Sequence, residues 1–203
     1  MTITIEQIKS LRDATGAGVL DCRKALEASN GDLNQAMEAL REKGLIKAAK
    51  RSDRQATEGV VEIYSHGNGR IGVMIEVNSE TDFVGRSEAF RKFAHEVALQ
   101  VAASAPRYVR PEDIPADVLE QEREKARLRA RTDAPDKPET IIDRIVEGRL
   151  EVFKKEVCLM LQPYIRDEDM PFEKVLHQTI AALNENIVIR RFVRWQLGES
   201  TAS

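Results

Sequence analysis

Glu76-Val77-Asn78-Ser79-Glu80-Thr81-Asp82-Phe83-Val84 stands where a strand pattern stops and a helix pattern has not yet begun. Upstream, Ile71, Val73, Ile75 and Val77 alternate with Gly72, Met74 and Glu76, the period-two pattern of a strand with one buried face. Downstream, Phe90, Phe93, Ala94, Val97 and Val101 recur at three- and four-residue steps, the apolar stripe of an amphipathic helix. Between them, Asn78, Ser79, Thr81 and Asp82 carry side-chain oxygens that accept hydrogen bonds from unpaired backbone N–H groups at turns and helix starts. Phe83 on this connection has two readings. It packs back as a staple beside a capped helix start, or it is a rigidly presented wedge, an apolar ring beside a carboxylate, aimed at a partner. On these residues alone the staple is the expected role.

Working outward, 59–64 and 70–77 read as two strands joined around Gly67-Asn68-Gly69, a hairpin signal. A lone hairpin is unstable in water. The stripe at 90–101 supplies a covering helix and 186–197 a third strand, in which Ile187, Ile189 and Val193 break strict alternation and predict a bulge near Arg190-Arg191. On the N-terminal side, Thr4 and Gln7 have capping-box spacing, and Ile5, Ile8 and Leu11 form an apolar face that ends at Gly16-Ala17-Gly18. A second helix carries Val19, Cys22, Ala25 and Leu26 and stops at Asn30-Gly31; a third opens at Asp32, runs through Leu33, Ala36, Met37 and Leu40, and closes at Lys43-Gly44. Three short helices make a compact module with a small core, the usual form of a docking module. Lys47, Lys50, Arg51 and Arg54 follow in a basic connection read as a solvated linker.

Beyond the prolines at 106, 111 and 115, residues 116–131 form a helix of alternating charge. Ile141, Ile145, Val152, Phe153, Val157 and Leu161 mark another long stripe ending before Pro163, so the two helices make a projecting hairpin at about 116–162. A last helix carries Phe172, Val175, Leu176, Thr179, Ile180 and Leu183 and ends at Asn184-Glu185-Asn186. The fold class is therefore α+β: a three-helix docking module with its linker over 1–54, then an α+β core over 55–203 with a small antiparallel sheet and the helical hairpin.

The totals narrow the function. In 203 residues, 31 Lys and Arg against 34 Asp and Glu leave a net charge of −3, which gives no general attraction to nucleic acid. Cys22 and Cys158 are far apart and carry no metal or disulfide spacing, which fits a reducing compartment. No apolar run approaches the ~18 residues that span a bilayer, and Met1-Thr2-Ile3-Thr4 begins neither a secretory nor a transit peptide. A cytoplasmic protein without membrane attachment is expected. Glu76, Glu80 and Asp82 are close in sequence, yet no nucleophile, Gly-rich phosphate loop or metal-ligand set accompanies them, and His66, His95 and His177 are isolated. Neither an enzyme, a metal site nor a cofactor is expected. Arg127, Arg129 and Arg131 have no interleaved aromatics, so RNA binding there or at 190–194 ranks last.

Two signatures carry a resemblance. Leu11-Arg12-Asp13-Ala14-Thr15-Gly16-Ala17-Gly18-Val19-Leu20-Asp21-Cys22-Arg23-Lys24-Ala25-Leu26 with Asn30-Gly31-Asp32, and Asn78-Ser79-Glu80-Thr81-Asp82-Phe83-Val84, resemble the two signatures of the bacterial elongation factor Ts family. Gln162-Pro163-Tyr164-Ile165, Arg190-Arg191-Phe192 and Leu197-Gly198-Glu199 resemble its C-terminal pattern. The match runs in order over nearly the whole chain and is weakest over 106–138. It implies a guanine-nucleotide exchange factor for elongation factor Tu, the GTPase that carries aminoacyl-tRNA to the ribosome. It also implies an N-terminal module similar to ubiquitin-associated domains. Asp82 and Phe83, flanked by Thr81 and Val84, would reach the Mg²⁺ and phosphate region of the GTPase. Arg12 and the Val19-Leu20 pair would be contacts of the module, Val19 and Leu20 departing from the methionine-rich version of that spot. A single α/β half resembles the short form of the family and implies a homodimer that rebuilds the paired core. The rival is an adaptor that binds a partner without exchange activity.

Overall fold

The computed structural model describes residues 3–15, 17–49 and 51–200, with backbone alone at 45 and 47–49, so Gly16 and the expected linker residue Lys50 lie outside it. The chain opens with α1 (Ile5–Thr15), α2 (Val19–Ala28) and α3 (Leu33–Ala49). The expected capping box is present: the Thr4 N–H donates to Gln7 Oε1 at 3.0 Å and the Gln7 N–H to Thr4 Oγ1 at 3.2 Å. Asn30 (φ 51°) and Gly31 (φ 85°) take the left-handed backbone that ends α2. Asp32 Oδ1 then accepts from the N–H groups of Asn34 and Gln35 at 2.9 and 3.0 Å and starts α3.

The core of this module is Leu11, Cys22, Ala25, Leu26, Ala36 and Leu40, with Ile3, Ile8, Ala17 and Met37 packed on it. Ile5, expected on that face, is 80% exposed. Six residues turn a helix about 600°, so Ile5 lies about 120° from Leu11, and Ile3 takes its place. α3 also runs past the expected stop at Lys43-Gly44 to Ala49, so much of the expected linker is helical.

After the module come β1 (Glu58–His66), β2 (Ile71–Ser79), α4 (Asp82–Gly85) and α5 (Glu88–Ser104). They are followed by α6 (Ala116–Asp133), α7 (Glu139–Val157), β3 (Pro163–Tyr164), β4 (Asp167–Pro171), α8 (Phe172–Leu183) and β5 (Ile187–Gln196). Two compact units result: one runs to Leu99 and resumes at Glu173, the other is Gln100–Phe172. The protein is α+β.

In the first unit β1, β2 and β5 form an antiparallel sheet in that order. Gly67, Asn68 and Gly69, at φ 60°, 56° and 82°, make the hairpin turn. Glu76 faces Arg191 while Val77 faces Ile189, so Arg190 is the extra residue of the expected bulge. The bulge lets Ile189 and Phe192 share the face of Val77 and Ile75, the face against which α5 lies. His95 of α5 meets Glu62 at 2.9 Å and Tyr64 edge-on at 5.5 Å, both on that face. Val73, Ile75 and Val77 are buried, as is the α5 stripe Phe90, Phe93, Ala94, Val97 and Val101.

In the second unit α6 and α7 pack through Ala126, Ala130, Ile142, Val146 and Leu150, bordered by the ion pairs Arg127–Asp143, Arg131–Glu139 and Arg149–Asp133. The stripe expected through Ile141 and Ile145 is thus displaced by one residue. Ile141-Ile142 and Ile145-Val146 are apolar doublets, and the small Ala126 and Ala130 opposite select the second member of each. Val152 is 56% exposed, and Leu161 lies beyond the end of α7 in a 3₁₀ turn (Leu159–Leu161). The β3–β4 hairpin was not legible in the sequence, because one strand has two residues and the other opens on Asp167-Glu168-Asp169.

Candidate partner interface

The turn that follows β2 is built from backbone bonds and small residues. The buried Ser79 donates its hydroxyl hydrogen bond to the Thr81 carbonyl at 2.9 Å. Thr81, extended at φ −124° and ψ 153°, is the N-cap of α4, its Oγ1 accepting from the Val84 N–H at 3.3 Å. Gly85 presses against β1: a Cβ there would stand 3.1 Å from the Gly59 Cα. At Gly59 itself, φ is +135° and a Cβ would meet the Val77 carbonyl oxygen at 2.1 Å, so only glycine fits.

On this anchored single turn Phe83 is 83% exposed. The staple expectation is overturned. α5 has its own cap, Ser87, whose Oγ accepts from the Phe90 N–H at 3.3 Å. The staple positions of α5 therefore fall on Arg86 and Arg91 rather than on Phe83. Asp82, also exposed, pairs with Arg86 one turn along at 2.9 Å, and Val84 is half-buried. Thr81, Asp82, Phe83 and Val84 thus share one small protrusion whose exposed side combines a carboxylate and an aromatic ring.

Residues 104 to 106 positions away hold its base. Glu185 grips Thr81 twice, with Oε2 accepting from the N–H at 3.1 Å and Oε1 from the hydroxyl at 2.6 Å. Glu80 Oε1 accepts from the Asn186 N–H at 2.6 Å, and its other oxygen lies 3.3 Å from Arg54. Asn186, buried, donates from Nδ2 to the carbonyls of Arg54 at 2.7 Å and Ser52 at 3.4 Å, and Arg51 reaches Asn184 Oδ1 at 2.5 Å. Sequence reasoning read Asn184-Glu185-Asn186 only as a helix stop. The only local signal was three polar residues in a row, which any loop shares.

In the N-terminal module Arg12 is exposed on α1, and at the start of α2 Val19 and Leu20 are 49% and 73% exposed. These apolar side chains therefore face solvent, which sets them apart from Cys22, Ala25 and Leu26 on the same helix. A second apolar surface was missed. On the face of the sheet opposite α5, Val61, Ile63, Met74 and Trp195 are 47–77% exposed, and Val61 and Met74 line a groove of about 340 Å³ together with Val193. Its signal was in the sequence, since Val61 and Ile63 are apolar at the positions that should be polar in a one-faced strand.

The carboxylates weighed for acid–base work are engaged elsewhere. Glu76 pairs with Arg191 at 2.7 Å, and that hydrogen bond holds its pKa below the usual range. Glu80 and Asp82 have Arg54 and Arg86. Burial pushes the Cys158 thiol up to about 11 and raises that of Cys22, which leaves both as inert packing groups. Among the described residues no group of three His, Cys, Asp or Glu side chains is placed to hold a metal ion, and no helix is long and apolar enough to cross a membrane.

The profile of the family described as "Elongation factor TS" matches residues 7–199. The chain belongs to the elongation factor Ts family. It is 52% identical over 200 residues to elongation factor Ts of Carboxydothermus hydrogenoformans, covering 98% of this chain and 91% of the relative. It is 53% identical over 197 residues to that of Caldanaerobacter subterraneus subsp. tengcongensis, covering 97% and 98%, and 50% identical over 199 residues to that of Coprothermobacter proteolyticus, covering 98% and 100%. Both signature stretches fall within the matched residues, so the protrusion and the exposed Val19-Leu20 pair are parts of an elongation factor Ts chain.

Proposed function

We propose that this elongation factor Ts family member is the guanine-nucleotide exchange factor of elongation factor Tu in translation elongation. It binds the GDP-bound GTPase, brings Asp82 and Phe83, flanked by Thr81 and Val84, to the Mg²⁺ and phosphate region, and favours the nucleotide-free form until GTP enters. The observation that carries this reading is an apolar ring 83% exposed on a single turn that is capped, ion-paired and pressed onto the sheet through Gly85 and Gly59. A large exposed ring on an anchored turn fits a role in contact rather than in folding.

The energetics set what the rest of the chain must do. Mg²⁺ tolerates little departure from octahedral geometry, so a small displacement of its ligands weakens its hold on the phosphates. No covalent bond is made or broken; exchange requires tighter binding to the nucleotide-free GTPase than to the GDP-bound one, and GDP weakens the factor's binding by the same ratio. Burying Phe83 contributes ~1.5–3 kcal/mol, whereas a thousandfold faster release needs about 4 kcal/mol. The remaining difference comes from docking contacts, which we assign to the ubiquitin-associated-like module over 1–54 through Arg12, Val19 and Leu20. The exposed face of the sheet, with Val61, Ile63, Met74 and Trp195, suits a two-fold homodimer in the cytoplasm; sizing with light scattering would find a mass twice that of the chain. Nucleic acid is left out of the partners proposed, because a net charge of −3 gives no general attraction to it.

The test is the release rate of a fluorescent GDP analogue from elongation factor Tu, with this protein and with its Asp82→Ala and Phe83→Ala variants. A large acceleration is expected, reduced roughly tenfold or more by Phe83→Ala, the equivalent of the ~1.5–3 kcal/mol above. Binding without acceleration would leave an adaptor.

A further inference from the structure

Resting on the exchange reading of the Thr81–Val84 turn, we propose that Glu185 is a positioning residue for exchange. Its carboxylate sets the direction in which Asp82 and Phe83 are presented, and the turn Asn184-Glu185-Asn186 holds the protrusion and the linker of the docking module in one register. With 83% of its surface exposed, Phe83 gets little support for its ring from neighbours. Its direction is therefore inherited from the backbone of α4, and that backbone begins at Thr81.

Thr81 is held by a single carboxylate at two points, its N–H at 3.1 Å and its hydroxyl at 2.6 Å. Hydrogen bonds to an ionised acceptor are about twice as strong as neutral ones, and two from one residue fix its torsions as well as its place. The hydroxyl has one proton. Given to Glu185, it leaves a lone pair aimed at the Val84 N–H, 3.3 Å away, which is the bond that starts α4. Without Glu185 that proton is free to turn to other acceptors, and the cap loses its fixed sense.

The neighbours of Glu185 extend the grip. Asn184, at φ 61°, ends α8 in the left-handed region. Asn186 donates its N–H to Glu80, immediately before Thr81, and its side-chain amide to the carbonyls of Ser52 and Arg54. Arg51 closes on Asn184. Three consecutive residues between α8 and β5 thus hold the base of the protrusion on one side and residues 51–54, which lead from α3, on the other. A displacement of reacting groups by about 1 Å is enough to cost on the order of a hundredfold in rate.

The experiment measures the stimulated release of the fluorescent GDP analogue against concentration of this protein. Glu185→Ala is expected to lower the maximal rate about tenfold while the half-saturating concentration stays within about twofold, because docking contacts are untouched. Glu185→Gln, the same size with one acceptor oxygen left, recovers part of the rate. Thr81→Ala combined with Glu185→Ala falls no further than the poorer single variant, since both act through one residue. A Glu185→Ala maximal rate equal to the parent's, a loss confined to half-saturation, no recovery in Glu185→Gln, or multiplicative losses in the double variant would each overturn the inference. Phe83→Ala is run alongside. If it lowers the rate and Glu185→Ala does not, only the positioning role falls; if Phe83→Ala is without effect, the wedge and the positioning role fall together.

Discussion

Phe83 and Phe90 are seven residues apart, and one ring is 83% exposed while the other is fully buried. In an unbroken helix seven residues turn about 700°, which would set the two rings within about 20° of each other on one stripe. The chain avoids this by ending α4 at Gly85 and recapping α5 at Ser87. Hydrophobicity is the same in the two rings; what differs is a break of two residues, Arg86 and Ser87. A phenylalanine that matches the core period is thus kept out of the core by the break alone.

The contrast makes three expectations for stability. The largest is Phe90→Ala, which empties a buried site and lowers the unfolding free energy by about 3–5 kcal/mol in urea titration. Ser87→Ala removes the cap that separates the two helices and costs about 1 kcal/mol by the same measurement; because it weakens the break, it also lowers stimulated GDP release. Phe83→Ala is the smallest, within about 0.5 kcal/mol of the parent, although it has the largest effect of the three on release. A destabilisation by Phe83→Ala comparable to that of Phe90→Ala would break the contrast and restore the ring to a packing role.

Much of the scaffold was legible because its signals are local. Thr4 and Gln7 are three residues apart, as are Asp32 and Gln35, and each pair is bonded as its spacing implies. Gly67-Asn68-Gly69 turns the hairpin, and the broken alternation in β5 marks the bulge at Arg190. The misreadings occurred where two local patterns were equally good. The doublets Ile141-Ile142 and Ile145-Val146 offer two stripes one residue apart, and only Ala126 and Ala130 on the facing helix decide between them. Ile5 was lost for a related reason, since it and Leu11 are both compatible with Ile8 but not with each other.

The candidate site divides the same way. Thr81, Asp82, Phe83 and Val84 were named from the sequence, through cap chemistry and family resemblance; the residue pattern alone favoured a packed Phe83, whereas the resemblance implied a ring presented to a partner. The sequence by itself determined the α+β class, the hairpin, the capped helices and the residue types at the junction, because propensity, periodicity and capping act within about four residues. The tertiary structure alone decided that Phe83 faces solvent, that Val61, Ile63, Met74 and Trp195 make an open apolar face, and that Glu185 grips Thr81 from 104 residues away. Those outcomes depend on which segments meet in space, and a hydrogen bond at 2.6 Å leaves no trace in the spacing of residues a hundred positions apart.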